Sequence, residues 1–278
     1  MNVNRLKLAL KKGIRTAYRP FFKGELPSFL IVGAQKAGTS SLHHYLNMHP
    51  QLIGSWPKEI HFFDKNERYY QGLDFYLREL YNPFRGKKIK PIRYFETTPS
   101  YLYHEESAHR ILKDLGQIQI IILLREPTSR AFSAWNMYRR LHNLGKYKKL
   151  RSLIKIDEEQ GNYIYKYFYS KERFPSFDQA VNFELNELLG RPEVKEPSII
   201  KTGVYYPQVK RFFELFGRDK VLICGFKDLK TNSLSVLKEQ ISPFLHLTPF
   251  SWQKKIGDTK RNVGKYKSSI SPSTRLML

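Results

Sequence analysis

A single cysteine, Cys224, rules out a disulfide framework within the chain, and with it the class of small cross-linked secreted domains. Set in KVLICGF, its thiol reads as a buried strand residue and not as a nucleophile. Long apolar runs are missing as well: the longest purely aliphatic stretch is IIILL, inside IQIIILL, far short of the ~20 residues that span a bilayer. The N-terminal MNVNRLKLALKKGIRTAYRPFFKG has no small-residue cleavage site and does not read as a signal peptide. Its basic and apolar residues alternate in a way that suits either a short amphipathic helix on an anionic membrane or a frayed, solvated terminus. Acidic residues are scarce, with Asp plus Glu at 25 against Lys plus Arg at 48 and a formal net charge of +23. A field of that sign gathers anions, whether nucleic acid, acidic headgroups or anionic glycans. Nucleic acid is the poorest fit of these: the 19 Phe, 18 Tyr and 3 Trp fall mostly in apolar segments, and no zinc, RRM or OB pattern is present. Neither repeats nor low-complexity tracts occur.

What the chain does contain is strands alternating with helices. SFLIVGA reads as a buried strand followed at once by a helix over about Thr39 to Met48. RYFETTPSYL reads as a strand running into a loop, and HEESAHRILKDLG as a helix ended by Gly116. QIQIIILLRE has the continuous apolar character of a central parallel strand, with TSRAFSAWNMYRRLHN as the helix after it. Further on, SFDQAVNFELNELLG, YYPQVKRFFELFG and SLSVLKEQISPFLHL read as helices and KVLICGFKDL as a strand. The segment from Leu150 to Phe174 has weak periodicity and reads as a variable substrate loop. The expectation is an α/β fold: a central parallel sheet flanked by helices, in one domain over residues 28–278, preceded by a basic segment over 1–27.

The most informative stretch is GAQKAGTSS, between the first strand and its helix. In open α/β sheets, ligands bind beyond the carboxyl ends of the strands, where a helix N-terminus offers unpaired N–H groups and a positive dipole end. Gly33 and Gly38 permit close backbone approach, Lys36 adds a cation, and Thr39, Ser40 and Ser41 add hydroxyls. The loop departs from the nucleoside triphosphatase pattern G-x-x-x-x-G-K-[ST], because its lysine sits mid-loop and Gly38 is followed directly by Thr39. The second strong strand also delivers Arg125 and Glu126 where those enzymes place a magnesium-holding Asp. The pattern suits anion binding by protein cations without a metal.

FLIVGAQKAGTSSL resembles the 5'-phosphosulfate-binding loop of the sulfotransferases that use 3'-phosphoadenosine 5'-phosphosulfate (PAPS), and LLREPTSRAFSAW resembles their 3'-phosphate-binding segment. The resemblance implies a cofactor set of Gly33, Gln35, Lys36, Ala37, Gly38, Thr39 and Ser40 for the 5' end, and Arg125 with Ser133 for the 3'-phosphate. WPKEIHFFD is similar to the K-E-x-x-F-F segment of carbohydrate sulfotransferases, especially the heparan sulfate type. It implies Glu59 as general base on the acceptor hydroxyl, with Lys58 and His61 tuning it or contacting an acidic acceptor. YFETTPSYLY resembles the E-K-[ST]-P-x-Y segment of the acceptor cleft, but Thr97 stands where many glycosaminoglycan-acting relatives carry Lys; Glu96, Thr98 and Tyr101 are then scaffold or cleft residues. GKYKSS corresponds to a basic loop over the cofactor phosphates and assigns Lys267 there.

These expectations describe a cytoplasmic, metal-independent enzyme, able to lie against the inner face of a membrane. It would pass a sulfuryl group from PAPS to a hydroxyl of a carbohydrate or glycolipid and release adenosine 3',5'-bisphosphate. Two alternatives stand beside it: a P-loop phosphotransferase such as a nucleotide kinase, which needs magnesium and a strand-end Asp, and a polyanion-binding protein without catalysis, whose binding would vanish with salt.

Overall fold

The computed structural model describes residues 3–22, 24–83, 89–145, 173–190, 199–252 and 270–277. In chain order the main elements are α1 (Val3–Tyr18), β1 (Phe29–Gly33), α2 (Thr39–Leu46), β2 (Leu52–Gly54), α3 (Asn66–Tyr69), α4 (Leu73–Glu79), β3 (Arg93–Thr97), α5 (Glu105–Leu115), β4 (Gln119–Leu124), α6 (Pro127–Asn143), α7 (Phe177–Gly190), α8 (Tyr205–Phe216), β5 (Val221–Gly225) and α9 (Phe226–Thr231). A helical run follows over Ser233–Ser235, Val236–Ile241 and Ser242–Phe244, π-wound in its middle part, and a last helix covers Pro272–Met277. The chain groups into two compact units: Met1–Leu124 with Tyr206–Arg261, and Arg125–Tyr205 with Asn262–Leu278.

The sheet belongs wholly to the first unit. Its five strands run in the order β2-β3-β1-β4-β5, and every neighbouring pair is parallel. β1 is buried along its whole length, and four of the six β4 residues are buried, as continuous apolar runs require when both faces of a parallel sheet are covered. Register aligns Phe29 with Phe95, and their rings stack at 4.9 Å. Cys224 lies on β5, 1% exposed, and burial followed by the charge of Asp228 pushes its thiol up to about 12. It is an inert core group, as the apolar setting predicts. The strand expected over KVLICGFKDL stops at Gly225, and Phe226 to Thr231 wind into helix instead. The edge strand β2, only three residues long, carries too little periodicity to be read from sequence.

In the second unit, α6 and α7 pack through aromatic side chains. Phe132 meets Phe177 edge-on at 5.1 Å, Trp135 meets Phe177 at 5.8 Å, and the indole N–H of Trp135 donates to the Pro175 carbonyl at 3.0 Å. Pro127 occupies the first turn of α6, and the Glu126 carboxylate caps it by accepting from the N–H groups of Thr128 at 2.7 Å and Ser129 at 2.8 Å. Burial tends to raise the Glu126 pKa, but the hydrogen bonds from Ser129 and Thr128 outweigh it and hold the carboxyl below its ordinary value. Glu126, which stands where a triphosphatase would have its metal-binding Asp, is thus a helix cap.

Candidate active site

Two chain segments converge on the carboxyl edge of β1 and β3. These strands are parallel neighbours, so the turn after β1 and the residues around the end of β3 leave the sheet on the same side. The turn after β1 is Ala34 to Gly38. It is tied down by the Ala34 N–H donating to the Leu123 carbonyl at 2.6 Å and the Ala37 N–H donating to the Ala34 carbonyl at 3.1 Å. The glycines that flank it, Gly33 at the end of β1 and Gly38 at the start of α2, are sterically required: a Cβ on Gly33 would stand 2.4 Å from Cβ of Leu102, and one on Gly38 would stand 2.9 Å from the Phe226 ring. Gly38 also has φ of +92°, where side chains are disfavoured. As N-cap of α2 it has no side chain to accept from the first turn, so the helix presents backbone donors and its positive dipole end at this edge. Ala37 is fully buried and Thr39 is 4% exposed, whereas Gln35, Lys36 and Ser40 are half-buried.

The second segment carries Glu59 and His61, and it rests on β3 and the turn beyond it. The Glu59 N–H donates to the Thr97 carbonyl at 3.0 Å, the Ile60 N–H to Glu96 Oε1 at 3.2 Å, the His61 N–H to Thr98 Oγ1 at 3.4 Å and the Phe62 N–H to the Tyr101 hydroxyl at 2.9 Å. Four consecutive backbone donors are therefore satisfied by residues 96–101. Glu96, Thr97, Thr98 and Tyr101 are all 0% exposed, so of the two roles open to the YFETTPSYLY residues, Glu96, Thr98 and Tyr101 take that of scaffold. Burial, partly offset by the hydrogen bonds it accepts, raises the Glu96 carboxyl to about 7.

Around Glu59 the side chains form a small polar array. The carboxylate is exposed and pairs with the Lys58 ammonium through Oε1, while Oε2 lies 3.9 Å from His61 Nε2. The other ring nitrogen of His61 is 2.8 Å from Asp64 Oδ2. An ionised carboxylate only accepts, so that nitrogen carries the proton. Ser100 Oγ donates to the same Asp64 oxygen at 2.5 Å. The Asp64 side chain is 2% exposed. Its burial acts to raise the pKa, but the hydrogen bond and charge of His61 outweigh it and hold the carboxyl below its ordinary value. Next to this array, His43 of α2 bonds through Nδ1 to the Thr97 hydroxyl at 2.9 Å, and burial, then the Lys58 charge, push its ring down to about 3. The hydroxyl of Thr97, the residue standing in place of a lysine, is thus engaged with a neutral imidazole.

Among the described residues only four non-glycine residues have φ in the left-handed region: Lys36 at +69°, Glu59 at +67°, His61 at +55° and His246 at +49°. Three of these are the residues that the sequence assigns to catalysis. Such conformations cost free energy and persist where surrounding contacts enforce them, which is the case for the bonded 59–62 backbone.

The remaining assigned residues belong to the second unit or lie outside the described residues. Arg125 follows Leu124 directly and is half-buried; its carbonyl accepts a hydrogen bond from the Tyr205 hydroxyl at 2.8 Å. Ser133 lies on α6 and is 4% exposed. Arg130, one turn before it, is fully buried. Its guanidinium donates to the Ile199 carbonyl, and its Nε and Nη1 have no hydrogen-bond partner among the described residues. Lys267 and residues 150–172 of the expected substrate loop lie outside the described residues. Sequence reasoning missed Asp64, Ser100 and Tyr205. Only the first left a signal, because His61 and Asp64 are three residues apart within WPKEIHFFD.

Comparison with known proteins bears on the family and the fold. The family model described as "Sulfotransferase domain" matches residues 26–255. The chain is 34% identical over 134 residues to heparan sulfate glucosamine 3-O-sulfotransferase 5 of Homo sapiens, covering 48% of this chain and 36% of that protein. It is 27% identical over 230 residues to the human bifunctional heparan sulfate N-deacetylase/N-sulfotransferase 2, covering 81% of this chain and 22% of that protein. The chain therefore spans little more than a third, or less, of the length of these relatives. Among solved structures, a sulfotransferase from Alicyclobacillus acidocaldarius is similar with a TM-score of 0.61 and 26% identity, over 91% of this chain and 90% of that one.

Proposed function

Since the chain belongs to the sulfotransferase family, we propose that it transfers a sulfuryl group from PAPS to a hydroxyl of a carbohydrate or glycolipid, with Glu59 as general base. The observation that carries this reading is the left-handed backbone at Lys36, Glu59 and His61, at the shared edge of β1 and β3. The cradle fits a phosphosulfate: two positions that admit only glycine, an uncapped helix start and one lysine offer close donors and positive charge to a group with many acceptor oxygens.

PAPS would supply the SO3 group, with its 5'-phosphate as the leaving group. Glu59 takes the proton of the acceptor hydroxyl as its oxygen bonds to sulfur. Lys36 and the first-turn N–H groups of α2 face the negative charge that builds on the phosphate oxygen as the S–O bond breaks. His61, oriented by Asp64, sits beside the base and meets the acceptor. Arg125 and Ser133 are assigned the 3'-phosphate and Lys267 a share of the phosphate charge, on resemblance to the family; Tyr205 fixes the backbone from which Arg125 extends. Adenosine 3',5'-bisphosphate is the second product. No metal ion enters this scheme. A lone buried cysteine suits a cytoplasmic enzyme.

The test is transfer of labelled sulfate from PAPS to a panel of glycans and glycolipids, comparing the parent with Glu59→Gln and Lys36→Ala. Parent turnover with loss in both variants is the expected outcome; parent-level turnover in both removes the role assignments. In a parallel thermal melt, stabilisation by adenosine 3',5'-bisphosphate supports this reading, and stabilisation by ATP with magnesium alone supports a phosphotransferase.

A further inference from the structure

Over its described side chains the N-terminal helix is turned the opposite way from an ordinary amphipathic helix. Among its described side chains, those directed at the body of the first unit are cationic. Arg15 donates to Glu79 Oε2 at 2.7 Å and to the Glu79 carbonyl at 3.1 Å, and Arg19, just past the helix, pairs with Glu79 Oε1. Glu79 itself is buried, so a single carboxylate at the end of α4 clamps the helix by its polar side. Phe22 completes the attachment, its ring 4.9 Å from Tyr81 and 5.9 Å from Tyr94.

The large apolar residues among its described side chains face outward. Leu10, Ile14 and Tyr18 recur every fourth position and so share one helix face. They are 65%, 36% and 61% exposed, and Phe21 in the following turn is 84% exposed. Fixing an apolar row in water is unfavourable unless another apolar phase covers it. Charge identifies that phase. The first acidic residue of the chain is Glu25, so every charged residue before it is Lys or Arg, and among the described residues Glu79 pairs with Arg15 and Arg19. Lys12 is exposed on the same helix. A helix with an outward apolar row and basic but no acidic residues matches the interfacial zone of a negatively charged bilayer, where the row enters the acyl boundary and the cations meet the headgroups.

We propose that α1 and the turn after it form a docking face for an anionic lipid bilayer, with Leu10, Ile14, Tyr18 and Phe21 as the inserted row. The Glu79 clamp holds that row outward, so the bilayer meets a pre-oriented surface and not a segment that must first be ordered. This proposal is independent of the sulfuryl-transfer reading, because vesicle binding is measured without turnover.

The experiment is co-sedimentation of the full chain at physiological salt with phosphatidylcholine vesicles and with vesicles containing phosphatidylglycerol. The comparison is between the parent and the combined Leu10→Ser, Ile14→Ser and Phe21→Ser variant, none of whose sites is in the catalytic machinery. Expected is binding of the parent to the phosphatidylglycerol vesicles only, with partition weakened at least ~10-fold in the variant. Equal melting of the two proteins, with and without adenosine 3',5'-bisphosphate, shows that the variant is folded. Equal binding of parent and variant would assign the interaction to the overall positive charge and overturn the proposal, and so would failure of the parent to bind. Light scattering without lipid supplies the remaining arm: a parent dimer that the variant abolishes would give the face to a second copy of the chain instead.

Discussion

The hydroxyl of Tyr205, at the start of α8, donates to the carbonyl of Arg125 at 2.8 Å. The bond joins two residues 80 positions apart and fixes the backbone from which the Arg125 guanidinium extends. Tyr205→Phe removes this bond without removing the ring. A hydrogen bond of this kind is worth about 0.5–1.5 kcal/mol, or roughly two- to tenfold in an equilibrium constant. The expected outcome is a rise of that size in KM for PAPS with kcat nearly unchanged, read by initial-rate kinetics over a range of PAPS concentrations. An equal fall in kcat at constant KM would place Tyr205 elsewhere in the cycle.

Glu59→Gln preserves the size of the side chain and the backbone bonds of the loop while deleting the proton acceptor. Loss of a general base costs about 10²–10⁴-fold in rate. The loss should fall on kcat, with the shift in melting temperature caused by adenosine 3',5'-bisphosphate unchanged, since no nucleotide contact is assigned to Glu59.

Gly38→Ala tests the cradle. It places a side chain at φ of +92° and a Cβ 2.9 Å from the Phe226 ring. The combined cost is about 1–3 kcal/mol of stability, from the left-handed backbone and the contact together. The melting temperature should fall, and the additional stabilisation by adenosine 3',5'-bisphosphate should be reduced or lost. A variant that melts lower yet gains as much from the nucleotide as the parent does would show that the turn does not meet the phosphates.

Glu96 gives a pH prediction. Its carboxyl is raised from an ordinary 4.5 to about 7 in the folded protein. Between those values the folded state holds a proton that the unfolded state has released, so stability from this group is fully present below about pH 4.5 and declines as pH rises through 7. Glu96→Gln removes the titration and can still accept the Ile60 N–H through its amide oxygen. Melting curves from pH 5 to 8 should therefore be flatter for the variant than for the parent, whose stability falls more toward pH 8. A parent and variant with parallel pH profiles would show that Glu96 ionises normally.

Much of this was legible in the chain. The continuous apolar runs of β1 and β4 announced a parallel sheet because strands covered on both faces have no polar side to alternate with. GAQKAGTSS announced the tight turn into α2 because its glycines and helix start are local features. The short β2 was hidden, since three residues give no period, and Phe226 to Leu229 read as strand because a helix of six residues has little amphipathic pattern. The support of Glu59 was hidden for a different reason. That Glu96, Thr97, Thr98 and Tyr101 receive four successive N–H groups from residues 59–62 depends on tertiary placement across more than thirty positions, and side-chain types do not encode it.

That suspended loop has a consequence for durability. The segment bearing Glu59 is neither helix nor strand, and two of its residues hold backbone angles they would abandon if released. If Glu59 has the proposed role, mild heat or denaturant has only to detach that segment from the tail of β3 to abolish sulfuryl transfer, while the sheet beneath remains intact. Inactivation should then precede the loss of circular dichroism, and a fully folded spectrum would not certify a working catalyst.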